Sequence, residues 1–244
     1  MVRILKNRKD LAHVDLSIMP SLKCDLTCPF CMYYCSPKNN LTLNIEKLKA
    51  FLKTVDWKKV TNVGFYGGEP AIKTALYQQF INLIPKTIPR FTITNGTWST
   101  SPRRTKNFLN FCSRNRLVVF VSGTHYHQKF QDRNVLQKRA GQGRVRLKDE
   151  DELHPMGRLQ KECWTCTHKC LWHQQPIRLA VFPTGHIIFQ NCDGVYPVVG
   201  DCSNIFTEVF RKAVAIREET CQAQTLQNIN EVLKTHLRLP KPTE

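Results

Sequence analysis

Residues 23–35 read Lys-Cys-Asp-Leu-Thr-Cys-Pro-Phe-Cys-Met-Tyr-Tyr-Cys, and the interpretation of the whole chain starts from them. Within this stretch Cys24, Cys28 and Cys31 follow the spacing C-x3-C-x2-C. Three thiolates this close can bind three corners of one cubic [4Fe-4S] cluster, which leaves the fourth iron open to a ligand that is not protein. A structural zinc knot, with Cys35 as the fourth ligand, is the alternative interpretation.

The cysteines are numerous and unevenly distributed. The chain of 244 residues has eleven of them, four within residues 24–35 and three within 163–170. The first residues lack the apolar core of a signal peptide, and no apolar run is long enough to span a bilayer, so we expect a cytoplasmic protein with no membrane partner. Because the cytosol keeps thiols reduced, this grouping favours metal ligation over disulfide bonds.

Positive charge dominates the sequence. The formal net charge is +17, which favours an anionic partner such as a nucleic acid, a nucleotide or an acidic peptide. Metal-bound thiolates would offset part of this excess. A generally basic protein without such a partner is the alternative that charge alone leaves open.

Strands and helices alternate along the first half of the chain. Apolar residues alternate or run continuously in four segments and recur at helical spacing in three others. The predicted strands are residues 13–19, 60–66, 90–94 and 117–121, and the predicted helices are 45–55, 76–84 and 101–114. This alternation predicts an α/β fold with a parallel sheet or barrel, in which ligands bind at the C-terminal edge of the strands.

Four candidate motifs follow the predicted strands at that edge. They are the cysteine loop, Gly67-Gly68-Glu69-Pro70, Thr94-Asn95-Gly96 and Ser122-Gly123-Thr124-His125. Because the carboxyl ends of parallel strands meet at one edge of a sheet, we expect these motifs to form one composite site.

A basic segment follows the fourth predicted strand. Residues 129–148 carry seven lysines and arginines against one aspartate. The composition predicts a mobile basic loop that lies over the mouth of the site and contacts an anionic substrate, and a solvated charge run is the alternative. Residues 144–147 also fit a short fifth strand. The candidate substrate contacts are Lys138, Arg139, Arg144 and Arg146.

A second cysteine group lies further along the chain. Its members are Cys163, Cys166, Cys170 and Cys192. Residues 177–182 and 186–189 predict a β-hairpin that turns at Pro183-Thr184-Gly185 and brings the fourth cysteine back to the others. Four thiols at this spacing can bind zinc or a second iron–sulfur cluster. Candidate ligands of lower rank are His168, His173 and Cys202.

The first three cysteines and the Gly-Gly-Glu-Pro sequence at the end of the second strand together resemble the radical S-adenosylmethionine (radical SAM) superfamily. In that family three cysteines hold a [4Fe-4S] cluster, and SAM chelates its open iron. The resemblance implies that Cys24, Cys28 and Cys31 bind this cluster and that Cys35 is a bystander. The residues that it implies for SAM binding are Phe30, Gly67, Gly68, Glu69, Asn95 and Ser122.

The C-terminal part resembles the auxiliary-cluster extension called SPASM or twitch. The resemblance rests on Met156-Gly157-Arg158, the second cysteine group, the hairpin and Val199-Gly200-Asp201, and it implies one further [4Fe-4S] cluster on the four cysteines. Only about 40 residues separate the fourth strand from Cys163, so the expected fold is an abbreviated (β/α)6 radical SAM barrel with a small hairpin-and-helix extension. The predicted domains are the partial barrel at 1–155, the auxiliary-cluster region at 156–212, and a C-terminal helix and tail at 213–244.

The resemblance implies an enzyme that performs one-electron chemistry. An external donor such as flavodoxin or ferredoxin would reduce the cluster, SAM would be cleaved to a 5′-deoxyadenosyl radical, and that radical would abstract hydrogen from the substrate. The charge of the chain favours a nucleotide or nucleic acid as this substrate. One alternative is a radical SAM enzyme that modifies a peptide, as SPASM and twitch relatives often do. The other is a zinc-dependent nucleic-acid-binding module, which leaves Gly-Gly-Glu-Pro unexplained.

Overall fold

The computed structural model describes residues 13–148, 177–190 and 197–218. The strands in these segments form one mixed sheet. They are β1 (Val14–Ile18), β2 (Val60–Phe65), β3 (Arg90–Thr94), β4 (Leu117–Val121), β5 (Arg146–Leu147), β6 (Ile177–Val181), β7 (His186–Phe189) and β8 (Val198–Asp201). The helices are α1 (Ile45–Leu52), α2 (Thr74–Ile81), α3 (Pro102–Arg114), α4 (His125–Gln128), α5 (Arg133–Gly141) and α6 (Phe206–Glu218), with short 3₁₀ turns at Pro70–Ile72 and Thr97–Thr100.

The strands follow the order β5-β4-β3-β2-β1-β6-β7-β8 across the sheet. Pairing is parallel from β5 through β1 to β6, and antiparallel from β6 to β8. Each strand from β2 to β5 lies beside the strand that precedes it in sequence, as short crossover connections favour. This arrangement confirms the predicted α/β fold with a parallel sheet, and it places β1 inside the sheet.

The four strands predicted for the first half coincide with β1 to β4 to within one residue at each end. The predicted hairpin is also confirmed as β6 and β7, and Gly185 in its turn takes a φ of +89°. The sequence did not indicate the position of this hairpin. It extends the parallel sheet, because β6 pairs along its whole length with the free side of β1.

Side-chain caps explain where several helices begin. The Asn44 side-chain oxygen accepts the backbone N–H groups of Glu46 and Lys47, at 2.9 and 3.0 Å, so α1 starts there as predicted. Ser101 and Asp132 each accept one backbone N–H at the starts of α3 and α5. These short polar side chains satisfy donors that the first helical turn leaves unpaired.

The two faces of the sheet carry different apolar clusters. On one face the larger helices pack against alternate strand residues, which include Leu16, Val63, Val119 and Leu179. On the other face a smaller cluster joins strand residues to the cysteine loop, and it includes Met19, Leu22, Ala180 and Ile188. Alternation along the strands therefore separates a helix-covered face from the face that we call the loop face.

The basic segment 129–148 is folded, so the prediction of a mobile loop is wrong. Its central part is α5, which is held by the fully buried side chain of Leu136, and its end is β5. Asp132 caps the helix, and the two-residue strand pairs with the end of β4. The charge pattern did not indicate the two features that hold this helix, the capping Asp132 and the buried Leu136.

Several predictions concern residues outside the described segments. These are the ligands Cys163, Cys166, Cys170 and Cys192, the candidates His168 and His173, the Met156-Gly157-Arg158 element and most of the C-terminal helix and tail at 213–244. The division into three domains likewise remains a prediction. Among the helices of the described segments, none combines the length and the apolar character that crossing a membrane requires.

Candidate functional site

The loop that follows β1 carries the three predicted cluster ligands. Cys24 and Cys28 are buried, and Cys31 is half-buried. Across residues 13–148, 177–190 and 197–218, no three His, Cys, Asp or Glu side chains are grouped as ligands of one metal ion. The sulfur donors of a zinc site all lie about 2.3 Å from one ion and are therefore close to one another. The thiolates of an iron–sulfur cube bind different corners of the cube, so the sulfurs lie farther from one another.

Each of the three sulfurs faces a nitrogen. The pairs are Cys24 with the Leu26 N–H at 3.4 Å, Cys31 with the Cys35 N–H at 3.3 Å, and Cys28 with His127 Nε2 at 3.4 Å. Hydrogen bonds to sulfur stabilise the negative charge of cluster-bound thiolates and tune the cluster. The loop therefore fits a [4Fe-4S] cluster in the chemistry of its donors and in what surrounds each sulfur.

Cys35 lies in the same loop but points elsewhere. Its thiol lies 3.0 Å from the Gly67 carbonyl oxygen, to which it donates, and the residue is buried. This contact links the end of the cysteine loop to the Gly-Gly-Glu-Pro sequence. The geometry agrees with the interpretation of Cys35 as a bystander.

Burial shifts the pKa of Cys24 in the loop and the pKa of His127 beside it. Desolvation raises the pKa of the Cys24 thiol to about 12, although the N–H of Leu26 acts in the opposite direction. Desolvation also lowers the pKa of His127, which favours its neutral form. A metal that binds Cys24 must therefore displace a firmly held proton.

Gly-Gly-Glu-Pro at the end of β2 is joined to the cysteine loop by backbone hydrogen bonds. The Gly68 N–H donates to the Ser21 carbonyl at 2.7 Å, and the Glu69 N–H donates to the Lys23 carbonyl at 2.9 Å. Gly67 has a φ of +121°, in the region that favours glycine, and a Cβ at Gly68 would collide with the Lys23 carbonyl oxygen. Both glycines are required by this close approach of two backbones.

The Glu69 carboxylate is buried and turned toward β3. It accepts hydrogen bonds from the Thr94 hydroxyl at 2.6 Å, the Asn95 N–H at 2.8 Å and the Ala71 N–H at 3.0 Å. Desolvation outweighs these donors and raises its pKa to about 7. The carboxylate thus fixes the loop after β2 against the end of β3, while its predicted contact with SAM remains a prediction.

Asn95 connects three parts of the site. Its backbone N–H binds Glu69, while its side-chain amide donates to Asp25 at 2.8 Å and lies 3.7 Å from the Cys24 sulfur. The adjacent Gly96 takes a φ of +77°, which allows the chain to turn sharply after β3. The predicted site residue is therefore placed beside the cysteine loop, as a bridge between that loop and Glu69.

Asp25 is a residue that the sequence did not single out. One of its carboxylate oxygens accepts from Asn95, and the other accepts from the Thr97 hydroxyl at 2.7 Å and from Arg104 at 3.2 Å. These donors hold the loop between its first two cysteines. Nothing local in the sequence links Asp25 to an arginine on α3, so only the fold shows this contact.

Three rings pack beside the second and third cysteines. Phe30 contacts Tyr126 and His127 edge to face, with centroid distances of 5.6 and 5.5 Å. His127 was also missed in the sequence, although it stands two residues beyond the motif that ends at His125. Ser122 lies nearby in the chain, and its N–H donates to the Thr94 carbonyl, so the ends of β3 and β4 are joined.

A polar network ties the hairpin to the same loop. The Gln190 amide donates to the Tyr33 hydroxyl at 3.2 Å and to the Tyr66 hydroxyl at 3.1 Å. Tyr33 also packs edge to face against Phe182, and burial raises the pKa of Tyr66. The C-terminal strands therefore contribute side chains to the wall around the cysteine loop.

The four predicted substrate contacts are dispersed. The Arg146 guanidinium lies over the Phe120 ring, 5.6 Å from its centroid, and Phe120 packs edge to face on Phe91 of the loop face. Lys138 and Arg139 instead belong to α5, whose buried residue joins the helix-side cluster. Arg144 is exposed between α5 and β5. Of the four, Arg146 is the one that lies on the face that carries the site.

Two further cysteines are core residues. Cys112 on α3 and Cys202 after β8 are buried in the helix-side cluster. Desolvation raises the pKa of both thiols, that of Cys202 to about 12. The candidacy of Cys202 as a ligand stays a prediction, because the cysteines with which it would bind a metal lie outside the described residues.

The chain is similar to known proteins in fold rather than in sequence. No family model matches the chain, and no curated protein matches it in sequence. The fold is shared with proteins solved with bound AdoMet. BtrN, in complex with AdoMet and 2-DOIA, superposes with a TM-score of 0.61 at 14% identity over 84% of this chain and 86% of that chain. The anSMEcpe structure with AdoMet and the Cp18Cys peptide gives a TM-score of 0.52 at 14% identity over 88% of each chain.

We predict that Gly68→Ala disrupts the junction between the two loops. The added methyl group has no space beside the Lys23 carbonyl, so the variant should lose about 1–3 kcal/mol of unfolding free energy in urea titrations. Gly141→Ala is the matched control, since nothing lies within 4 Å of an added Cβ there. Equal stability of the two variants would contradict the close approach.

We predict that Glu69→Gln changes the pH dependence of stability. The folded carboxyl keeps its proton up to about pH 7, compared with an ordinary value of 4.5, so wild-type unfolding free energy should fall as pH rises between these values. The variant should lose this fall, which amounts to about 3 kcal/mol. Urea titrations at several pH values measure the slope, with the exposed Glu46→Gln as the control. Identical slopes in wild type and Glu69→Gln would refute the raised pKa.

Proposed function

We propose that this chain is a radical SAM enzyme. The observation that carries the proposal is the junction of the cysteine loop with Gly-Gly-Glu-Pro at the carboxyl ends of adjacent parallel strands. Three thiols there each face a nitrogen, and the fourth cysteine of the loop, Cys35, points to a backbone carbonyl. The similarity of fold to two AdoMet-bound structures supports this reading.

The proposed site has two groups of residues. Cys24, Cys28 and Cys31 would hold a [4Fe-4S] cluster with one iron left open. When bound, the cluster and SAM supply one-electron chemistry that ends in removal of a hydrogen atom from the substrate. The residues proposed to surround SAM are Phe30, Gly67, Gly68, Glu69, Asn95 and Ser122.

Burial and pre-organisation are what the protein itself contributes. The carboxylates of Asp25 and Glu69 are each held by three donors, so the loops that bear the cysteines and Gly-Gly-Glu-Pro keep a fixed relation. Such rigidity positions a bound ligand without reorganisation at the moment of reaction. The apolar loop-face cluster and the rings of Phe30 and Tyr33 exclude water from the same region.

The substrate is proposed to be anionic, a nucleotide or a nucleic acid. The formal charge of +17 and the position of Arg146 on the loop face support this class. A peptide is the second candidate, because the anSMEcpe structure that shares this fold was solved with the Cp18Cys peptide. An external donor of the flavodoxin or ferredoxin type is proposed to supply the electron.

An auxiliary [4Fe-4S] cluster is proposed for the second cysteine group. Its four cysteines lie outside the described residues, so the proposal rests on their spacing. The neighbouring hairpin supports it indirectly, since Gln190, two residues before Cys192, contacts Tyr33 of the first loop. A cluster near this point would be close enough to the site to exchange an electron with a substrate radical.

We predict that anaerobically reconstituted protein binds iron and forms 5′-deoxyadenosine from SAM and dithionite. About four irons per chain indicate one cluster, and about eight indicate two. Cys28→Ala should abolish 5′-deoxyadenosine formation. Cys35→Ser, which keeps a donor to the Gly67 carbonyl, should retain it and serves as the matched control. Zinc without iron, or iron without 5′-deoxyadenosine, would refute the proposed function.

We predict that Arg146→Glu weakens binding of an anionic ligand more than Lys138→Glu does. Both variants change the net charge equally, but only Arg146 lies on the loop face. The dissociation constant for a short fluorescein-labelled single-stranded RNA should rise about tenfold for Arg146→Glu and less than about twofold for Lys138→Glu. Equal losses would indicate general charge attraction, and an unchanged constant for both would favour the peptide candidate.

A further inference from the structure

The sulfur of Cys28 faces a nitrogen that comes from a distant helix. Cys24 and Cys31 face backbone N–H groups of the loop itself, and Cys24 also lies 3.7 Å from the side-chain amide nitrogen of Asn95. Cys28 faces the side chain of His127, 99 residues away in the chain, with 3.4 Å between Sγ and Nε2. This is a contact that a substitution can add or remove.

We infer that His127 donates an Nε2–H hydrogen bond to the Cys28 sulfur and thereby raises the reduction potential of the cluster held by the loop. The inference rests on the proposed function, since it concerns the same cluster. His127 is a positioning residue in this role, because it acts through Cys28. His127 is not among the residues on which the radical SAM resemblance rests.

The environment of the other ring nitrogen favours one tautomer. Nδ1 lies 2.8 Å from the Thr124 hydroxyl oxygen, which also accepts the backbone N–H of His127 at 3.4 Å. With that N–H already directed at the oxygen, the hydroxyl hydrogen is free to point at Nδ1, and the ring proton then resides on Nε2. An iron-bound thiolate carries no hydrogen, so only a protonated Nε2 makes the 3.4 Å contact attractive.

Packing holds the imidazole in this orientation. Phe30, immediately before Cys31, meets the ring edge to face, and Tyr126 lies beside it. The Tyr126 hydroxyl donates to the Thr27 carbonyl at 3.3 Å, which ties α4 to the cysteine loop. His127 itself is buried, at 8% exposure, so water does not compete for its nitrogen. The contact is therefore built by the fold rather than by a freely rotating side chain.

Electrostatics gives the direction of the effect. Reduction adds one electron to the cluster, and part of that charge resides on the sulfurs. A hydrogen bond from a fixed donor stabilises the more negative, reduced state more than the oxidised state, so it raises the potential. The same bond orients the ligand, as outer partners of metal ligands commonly do.

The test compares midpoint potentials of reconstituted proteins by titration followed with electron paramagnetic resonance. His127→Leu removes the donor at similar volume, and its potential should shift to more negative values than wild type. His127→Gln returns an N–H donor of similar reach and should restore part of the shift. Thr124→Val removes the hydroxyl that favours the Nε2–H tautomer and should shift the potential in the same direction as His127→Leu, by a smaller amount.

Gln128→Leu is the matched control, because it removes a polar group on the same helix that faces a backbone carbonyl rather than a sulfur. Its potential should equal that of wild type. A potential unchanged in His127→Leu would overturn the inference while leaving the proposed function intact. Wild-type protein that binds no iron would overturn both.

The tautomer provides a second test that does not depend on any variant loading with iron. Long-range proton–nitrogen spectra of histidine-labelled, oxidised wild-type protein distinguish Nε2–H from Nδ1–H. The inference expects the Nε2–H form at His127. A proton on Nδ1 would overturn it.

Discussion

The close approach of two backbones determines the rest of the site. β1 and β2 are adjacent parallel strands, so the loops that leave their carboxyl ends begin only about 5 Å apart. The loop after β2 donates two N–H groups to the carbonyls of Ser21 and Lys23, and this pairing leaves no space for a side chain at Gly68. These two backbone hydrogen bonds position the cysteines on one side and Glu69 on the other.

The local features of the chain could be predicted because their causes are local. β1 to β4 are short apolar segments between polar loops, and α1 begins at an asparagine cap. The convergence of Cys24, Glu69 and Asn95 also followed from the sequence, since residues at the carboxyl ends of neighbouring parallel strands must meet. Their expected proximity is present in the structure as direct contacts and short chains of hydrogen bonds.

What the sequence concealed depends on contacts between distant segments. Two of the three donors that hold Asp25 come from α3 and the turn before it, and the nitrogen that faces Cys28 comes from α4. Neither has a fixed spacing from its partner. The basic segment was misjudged for a different reason, because its many charges drew attention away from one capping aspartate and from Leu136. The charges describe the surface of this segment, whereas the cap and the buried leucine anchor its helix.

The interior position of β1 has a consequence for how the protein is made. The side of β1 that faces β6 has no partner until residues 177–181 have been synthesised, although β1 itself lies near the start of the chain. Its other side can pair with β2 much earlier. An apolar strand edge next to the cysteine loop therefore stays unpaired by β6 while the residues between β1 and β6 are translated. The cysteine loop is therefore fully packed only after the C-terminal strands have been synthesised.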